Sequence, residues 1–365
     1  MERTTDMPHD CFSSIDSRTL AAFRRGIAIP AHPLALTSRR TLDERRQRAL
    51  ARYYIAAGSG GLAVGVHTTQ FQIRNPEIGL FLPVLTIARE EMDRADAKRP
   101  VPLMRIGGVT GPTDRACNEA ALLRELGYHA GLLSLAALPN ASDESLIEHC
   151  RAVGKVIPII GFYLQPRVGG RELSYEFWHC FTELDSVLAI KIAPFDRYRT
   201  LDVVRAVMAS GRDDIALYTG NDDNIVHDLI TPYRLNVQGK WTERRIVGGL
   251  LGHWSVWTRR AVELLERCQQ AVAANNIPPA LLVDAIQVTD SNAAFFDAAN
   301  GFKGVIAGLH EVLRRQGLLE GIWCLDEHET LGPGQIEEID RVLTAYPHLS
   351  DNEFVAQHRS EWFSN

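Results

Sequence analysis

Short apolar runs recur along this chain, each followed by a Gly, Pro or polar break and then by a longer stretch of helical periodicity. Runs of this length, bounded by turn residues, predict buried strands. Eight are legible: Gly26–Ile29, Gly61–Val66, Pro102–Ile106, Ala130–Leu135, Ile157–Leu164, Val187–Ile192, Ile215–Tyr218 and Ile246–Leu251. Between them lie helical segments such as Leu42–Ala57, Pro112–Leu126, Ser142–Val153, Ser174–Leu184, Thr200–Met208 and Trp257–Ala274. Thr41, Ser142 and Ser174 stand where N-caps are expected. Alternation of this kind means parallel strands with crossover helices, and eight units favour a closed (β/α)8 TIM barrel over an open sheet. Past residue 275 the strand signals stop. The stretches Phe302–Gln316, Gln335–Ala345 and Asp351–Trp362 read as helices. The expected organisation is an N-terminal arm over 1–20, a catalytic α/β barrel over 21–275, and a C-terminal helical extension over 276–365 packed on it.

Length changes this picture little, since 365 residues suggest two domains or one enlarged barrel. The composition, 45% apolar and 23% charged, excludes a wholly disordered, collagen-like or disulfide-built chain. Lys plus Arg total 39 against 45 acidic residues, so a net charge of −6 gives no bulk attraction to nucleic acid or anionic lipid. No apolar run reaches the roughly 20 residues that span a bilayer. The first twenty residues lack a signal-peptide core, so a cytoplasmic protein is expected. Its six cysteines, at positions 11, 117, 150, 180, 268 and 324, form no CxxC pair. They read as reduced thiols, and neither a structural zinc nor any cofactor is expected.

Two motifs fail on context. Gly58-Ser59-Gly60-Gly61-Leu62-Ala63 fits a dinucleotide fingerprint, but a helix enters it and a strand leaves, the reverse of what pyrophosphate binding needs. A helix C-cap is the reading. Gly220–Asn224 carries carboxylates that could suit a hard cation, yet it lacks EF-hand spacing and reads as an N-cap cluster. The basic run between Arg39 and Arg48, interleaved with acids, reads as a solvated helix face or subunit contact.

Val187–Pro194 carries chemistry. Strand alternation puts Leu188, Ile190 and Ile192 on one face and Val187, Ala189, Lys191 and Ala193 on the other. A lysine among alanines in a barrel interior has space but little water, which lowers its pKa and favours a nucleophilic amine. A structural ion pair is the alternative at this point. In Pro158–Pro166, Ile159, Gly161 and Tyr163 share a face, and Tyr163 falls at the C-terminal end of its strand, where barrel active sites lie. It is a candidate proton shuttle beside a Schiff-base lysine.

These segments resemble the dihydrodipicolinate synthase/N-acetylneuraminate lyase family of pyruvate-dependent class I aldolases. Gly65-Val66-His67-Thr68-Thr69-Gln70 stands at the family's Gly-Thr-Thr/Ser-Gly-Glu loop, Tyr163-Leu164-Gln165-Pro166 at its Tyr-x-x-Pro element, and Ile190-Lys191 at its Schiff-base strand. The 28 positions between Tyr163 and Lys191 agree with family spacing, and Asn300–Lys303 with Gly317 is a weaker echo. The resemblance implies Lys191 as the Schiff-base lysine and Tyr163 as the proton-transfer residue. It implies Gly65, Val66, His67, Thr68, Gly248 and Gly249 as substrate-binding, with the Val66 and His67 N–H groups holding a keto-acid carboxylate.

Departures are Val66 in place of a relay threonine, Leu135–Asn140 in place of the segment after the fourth strand that carries a tyrosine, and Arg167 one position from the family's arginine. The expected function is a lyase or aldolase making or cleaving a C–C bond beside a 2-keto acid, pyruvate first. Its partners are that keto acid and an aldehyde, with no nucleic acid or membrane, in a homo-oligomer, a tetramer by resemblance. The alternatives are a sugar-acid dehydratase using the same imine and a non-catalytic keto-acid-binding barrel. Trp254, Trp257 and the insert Thr231–Thr242 are candidates for narrowing the pocket.

Overall fold

In the computed structural model, which describes residues 11–364, each of the eight apolar runs contributes one strand of a single parallel sheet. The strands are β1 (Ala28–Pro30), β2 (Gly61–Val64), β3 (Met104–Val109), β4 (Ala130–Ser134), β5 (Ile159–Leu164), β6 (Val187–Ala193), β7 (Ala216–Thr219) and, after a hairpin, β10 (Gly248–Leu251). They run β1-β10-β7-β6-β5-β4-β3-β2, and a parallel bridge from Ala31 to Ala63 closes the ring. The fold is a TIM barrel. Inward residues such as Ile106, Leu132, Phe162 and Tyr218 fill its interior, while a larger apolar layer lies between strands and helices.

Side-chain caps start several helices. Ser142 accepts the Ser145 N–H ahead of α5 (Asp143–Gly154), and Ser174 accepts the Phe177 N–H ahead of α6 (Tyr175–Thr182). For α2 (Glu44–Ala56) the cap is Asp43, which accepts the Arg46 N–H at 3.0 Å, and not Thr41. Gly58, at φ 97°, follows the end of α2 and leads into β2, the helix-then-strand order that excludes a dinucleotide loop. The basic face of α2 is paired: Arg48 reaches Glu44, Glu90 and Glu91, and Arg52 reaches Glu91.

The expected N-terminal arm ends inside a helix. α1 (Ser17–Arg25) crosses residue 20 and plugs the barrel floor, where Phe23 stacks on Tyr218 with centroids 4.7 Å apart. Tyr218 Oη donates to the Phe23 carbonyl at 2.6 Å and accepts the Ile27 N–H at 3.2 Å. Burial of Phe23 places α1, which runs across residue 20, against the barrel core.

The insert at 231–242 is an antiparallel hairpin of β8 (Tyr233–Val237) and β9 (Lys240–Arg244). It turns at Gln238-Gly239, both at positive φ, as a two-residue hairpin turn requires. It packs on α7 (Arg197–Ser210) and adds no residue to the lining of the cavity that holds Lys191.

Past α9 (Thr258–Ala273) come α10 (Pro279–Phe295), α11 (Val305–Arg315), α12 (Gln335–Ala345) and α13 (Asn352–Trp362). The expected boundary at 275/276 falls between α9 and α10. These helices are bound tightly to the barrel: Tyr53 Oη donates to Asp351 at 2.7 Å, and Gln70 Oε1 accepts the Leu325 N–H at 2.6 Å. Among the described residues no helix is long and apolar enough to cross a membrane, and the six cysteines form no disulfide.

Candidate active site

A cavity of about 560 Å³, counting its open mouth, lies at the C-terminal end of the barrel strands. Lys191 enters it from β6. The strand carries an irregularity, since Ile159 pairs with Val187 while Ile160 pairs with Ala189. That extra residue sends Leu188 into the barrel and Val187 outward, the reverse of simple alternation, yet leaves Ala189, Lys191 and Ala193 facing in. The Lys191 stem lies against Gly220, where a Cβ would stand 2.5 Å from its Cε. Its Nζ sits 4.4 Å from the centroid of the Phe162 ring.

Burial governs the charges here. Lys191 is 7% exposed, and desolvation pulls its ammonium well below the ordinary lysine range while the Asp222 carboxylate pulls the other way. Asp222 is buried too. Desolvation pushes its acid well above the carboxylate range, against the His253 N–H, donated to Oδ1 at 2.8 Å, and the Lys191 charge. The segment holding Asp222 is fixed by Asn221. Its Oδ1 accepts the Phe195 N–H at 3.0 Å, and its Nδ2 donates to Thr200 Oγ1 at 3.2 Å and Asp228 Oδ2 at 3.0 Å. His67 lines the opposite wall, where enclosure and the Lys191 charge push its imidazole down to about 4, so it stays neutral at pH 7.

The loop after β2 is partly as expected. Val66, His67 and Thr68 line the cavity, and Gly65 lies just behind them. Thr69 Oγ1 accepts the N–H groups of Gly65 at 3.0 Å and Val66 at 3.2 Å while donating to the His32 carbonyl at 2.7 Å. Of the two backbone donors expected for a carboxylate, that of Val66 is therefore taken, leaving His67 N–H outside this network. The Thr68 hydroxyl donates to the Ala31 carbonyl at 2.8 Å.

Tyr163 does not join Lys191. Its grouping with Ile159 and Gly161 holds, but that face of β5 is the outer one: a Cβ on Gly161 would press on Phe181, and the Tyr163 ring packs 5.4 Å from Trp178. Its hydroxyl donates to the Leu173 carbonyl and accepts the Leu173 N–H, both at 3.3 Å, and burial raises its pKa. Phe162, one residue earlier, takes the inward position. Gly248 and Gly249 also lie off the cavity, because β10 has two more residues to run before its end; Gly252 is the one that lines it. A Cβ on Gly248 would meet Ile27 and Tyr218 on the floor, and one on Gly249 would meet Trp254. Trp254 and Trp257 are core packing, the latter edge-on to Phe295.

Sequence reasoning passed over Asp222, although its carboxylate in the turn after a strand was a visible signal. It also missed the apolar wall of Phe195, Phe296 and Phe302, which come from loops after β6 and in the extension. No group of three or more His, Cys, Asp or Glu that could hold a metal occurs among the described residues.

The family model described as "Dihydrodipicolinate synthetase family" matches residues 25–231. Solved structures share the fold. An N-acetylneuraminate lyase from Fusobacterium nucleatum is 17% identical, covering 89% of this chain and 99% of its own, with a TM-score of 0.67. Dihydrodipicolinate synthase from Oceanobacillus iheyensis is 17% identical, covering 91% and 100%, with a TM-score of 0.70. YagE, a prophage protein of the dihydrodipicolinic acid synthase family from E. coli K12, solved in complex with pyruvate, is 16% identical, covering 90% and 99%, with a TM-score of 0.70. No curated protein matches.

Proposed function

The chain belongs to the dihydrodipicolinate synthetase family, and we propose that within it the protein makes or cleaves a C–C bond beside a 2-keto acid, pyruvate first, through an imine on Lys191. The family's synthases and lyases are class I, Schiff-base enzymes of the aldolase and lyase kind. The observation that carries the reading for this chain is the Lys191 amine. It is desolvated at the C-terminal end of the barrel, with its stem fixed against Gly220.

In the synthetic direction the neutral Nζ adds to the keto carbon, and the carbinolamine loses water to give the imine. Loss of a C3 proton gives the enamine. Its C3 attacks the aldehyde carbon, the new alkoxide takes a proton, and water releases the product from Lys191. Asp222 is the group assigned to carry these protons, because it lines the same cavity as Lys191 and burial brings its pKa towards neutrality. Tyr163 has no part in it. The keto-acid carboxylate is assigned to the His67 N–H, beside the neutral His67 ring.

Incubation with pyruvate and borohydride, followed by peptide mass spectrometry, tests this. A reduced adduct on Lys191, absent from Lys191→Ala, is expected. Absence of an adduct across a panel of 2-keto acids would overturn the imine and with it the dehydratase alternative. An adduct with no turnover of any aldehyde or sugar acid would leave a keto-acid-binding barrel.

A further inference from the structure

Phe162, Phe195, Phe296 and Phe302 line the cavity together with Lys191, Asp222, His67 and Thr68, and the Phe162 ring centroid lies 4.4 Å from Lys191 Nζ. Phe195 and Phe302 meet edge to face, with centroids 5.8 Å apart. Both have left-handed backbones, at φ 55° and 70°, a conformation that bulky side chains rarely adopt. Each is held there by a hydrogen bond from its own N–H, Phe195 to Asn221 Oδ1 at 3.0 Å and Phe302 to the Asp297 carbonyl at 3.0 Å. Costly conformations persist where surrounding structure fixes them, and they cluster at ligand clamps. Here both place a ring on the same cavity.

We propose that this aromatic lining selects the second substrate, so that the carbonyl compound joined to or released from the keto acid carries a flat aromatic group and not a polyhydroxylated chain. This rests on the imine reading of Lys191. Four phenylalanine rings offer a planar guest edge and face contacts. A sugar-like chain would bury hydroxyls that find few partners. The Thr68 hydroxyl is committed to the Ala31 carbonyl and Asp222 Oδ1 to the His253 N–H. Gln165 Oε1, buried without a hydrogen-bond partner, remains as an acceptor. A site that leaves hydroxyls unpaired rejects such a ligand strongly.

The test compares kcat/KM with pyruvate for benzaldehyde and for glyceraldehyde, and in parallel measures benzaldehyde binding to Lys191→Ala by saturation-transfer NMR. Benzaldehyde is expected to be preferred, and Phe302→Ala to lower that preference by about tenfold. Phe302→Leu, which keeps apolar bulk but loses the ring, should fall between them. Thermal melts identify any variant that fails to fold. Binding to Lys191→Ala needs no imine, so it separates this proposal from the chemistry. If Lys191 fails to trap pyruvate but benzaldehyde binds and Phe302→Ala weakens it, the aromatic site stands and the imine falls. Preference for glyceraldehyde, or benzaldehyde binding that is absent or unmoved by Phe302→Ala, overturns the aromatic site.

Discussion

Gly220 forms the wall along which Lys191 extends: a methyl group on it would lie 2.5 Å from Lys191 Cε and 2.7 Å from Ala193 Cβ. The lysine could swing aside, but Ala193 is held in β6. Gly220→Ala should therefore displace the amine by a fraction of an ångström and overpack the barrel. Misplacement on this scale costs about a hundredfold in rate, and overpacking about 1–3 kcal/mol of stability. Borohydride trapping rates and urea unfolding of the variant measure the two effects separately. Trapping at the wild-type rate would show that the stem is not set by this wall.

Asp222 and Lys191 act on one another, so removing one charge moves the other group's titration. In the wild type, trapping with pyruvate should rise with pH through a midpoint well below the ordinary lysine value of 10.5, because burial disfavours the ammonium. The Asp222 carboxylate partly restores that ammonium. Asp222→Asn can keep the bond from the His253 N–H while losing the charge, so its trapping midpoint should move to still lower pH. Turnover should nevertheless fall by about 10²–10⁴, the usual loss when a general acid–base group is removed. A midpoint that moved upward would contradict the pairing.

Tyr163→Phe separates the sequence reading of this residue from its place in the fold. Its hydroxyl touches only the Leu173 backbone among the described residues, outside the barrel wall. The variant should trap pyruvate and turn over at close to the wild-type rate. It should lose about 1–3 kcal/mol, because the Leu173 N–H is left buried without its acceptor. A large loss of turnover at unchanged stability would return the proton-transfer role to Tyr163.

The eight strands were legible because each is a short apolar run between breaks, and barrel strands buried on both faces need nothing subtler. The inward direction of Lys191 was legible from its alanine neighbours. Tyr163 was misplaced because alternation groups residues without saying which group faces inward. Only the packing of Gly161 beneath Phe181 fixes that. Asp222 lay in a segment taken for an N-cap, yet Asn224 makes no capping bond to α8 (Ile225–Ile230). Phe296 and Phe302 were beyond reach, because a residue more than a hundred positions from Lys191 reaches the cavity only through the docking of the extension.

That docking has a thermodynamic consequence carried by histidines. His32 in the barrel, His253 beside the site and His310 in α11 are each buried and pushed down to about 4 from an ordinary 6.5. A base whose folded pKa is lowered binds fewer protons folded than unfolded. Its contribution is complete above pH 6.5 and is lost as pH falls towards 4, by about 2 kcal/mol per histidine at pH 5. Asp222 and Asp351, whose acids are raised by burial, act in the opposite sense and soften the decline. A difference between variants removes that offset. His310→Leu, which fills much of the same space without a titrating group, should lose about 2 kcal/mol less than the wild type between pH 7 and pH 5 in urea unfolding. Because Tyr53–Asp351 and Gln70–Leu325 bond the extension to the barrel, the change should appear in one cooperative transition seen equally by tryptophan fluorescence and circular dichroism. Two separate transitions, only one of them shifted by His310→Leu, would mean that the extension unfolds by itself and that the phenylalanine wall it carries can leave the site while the barrel stands.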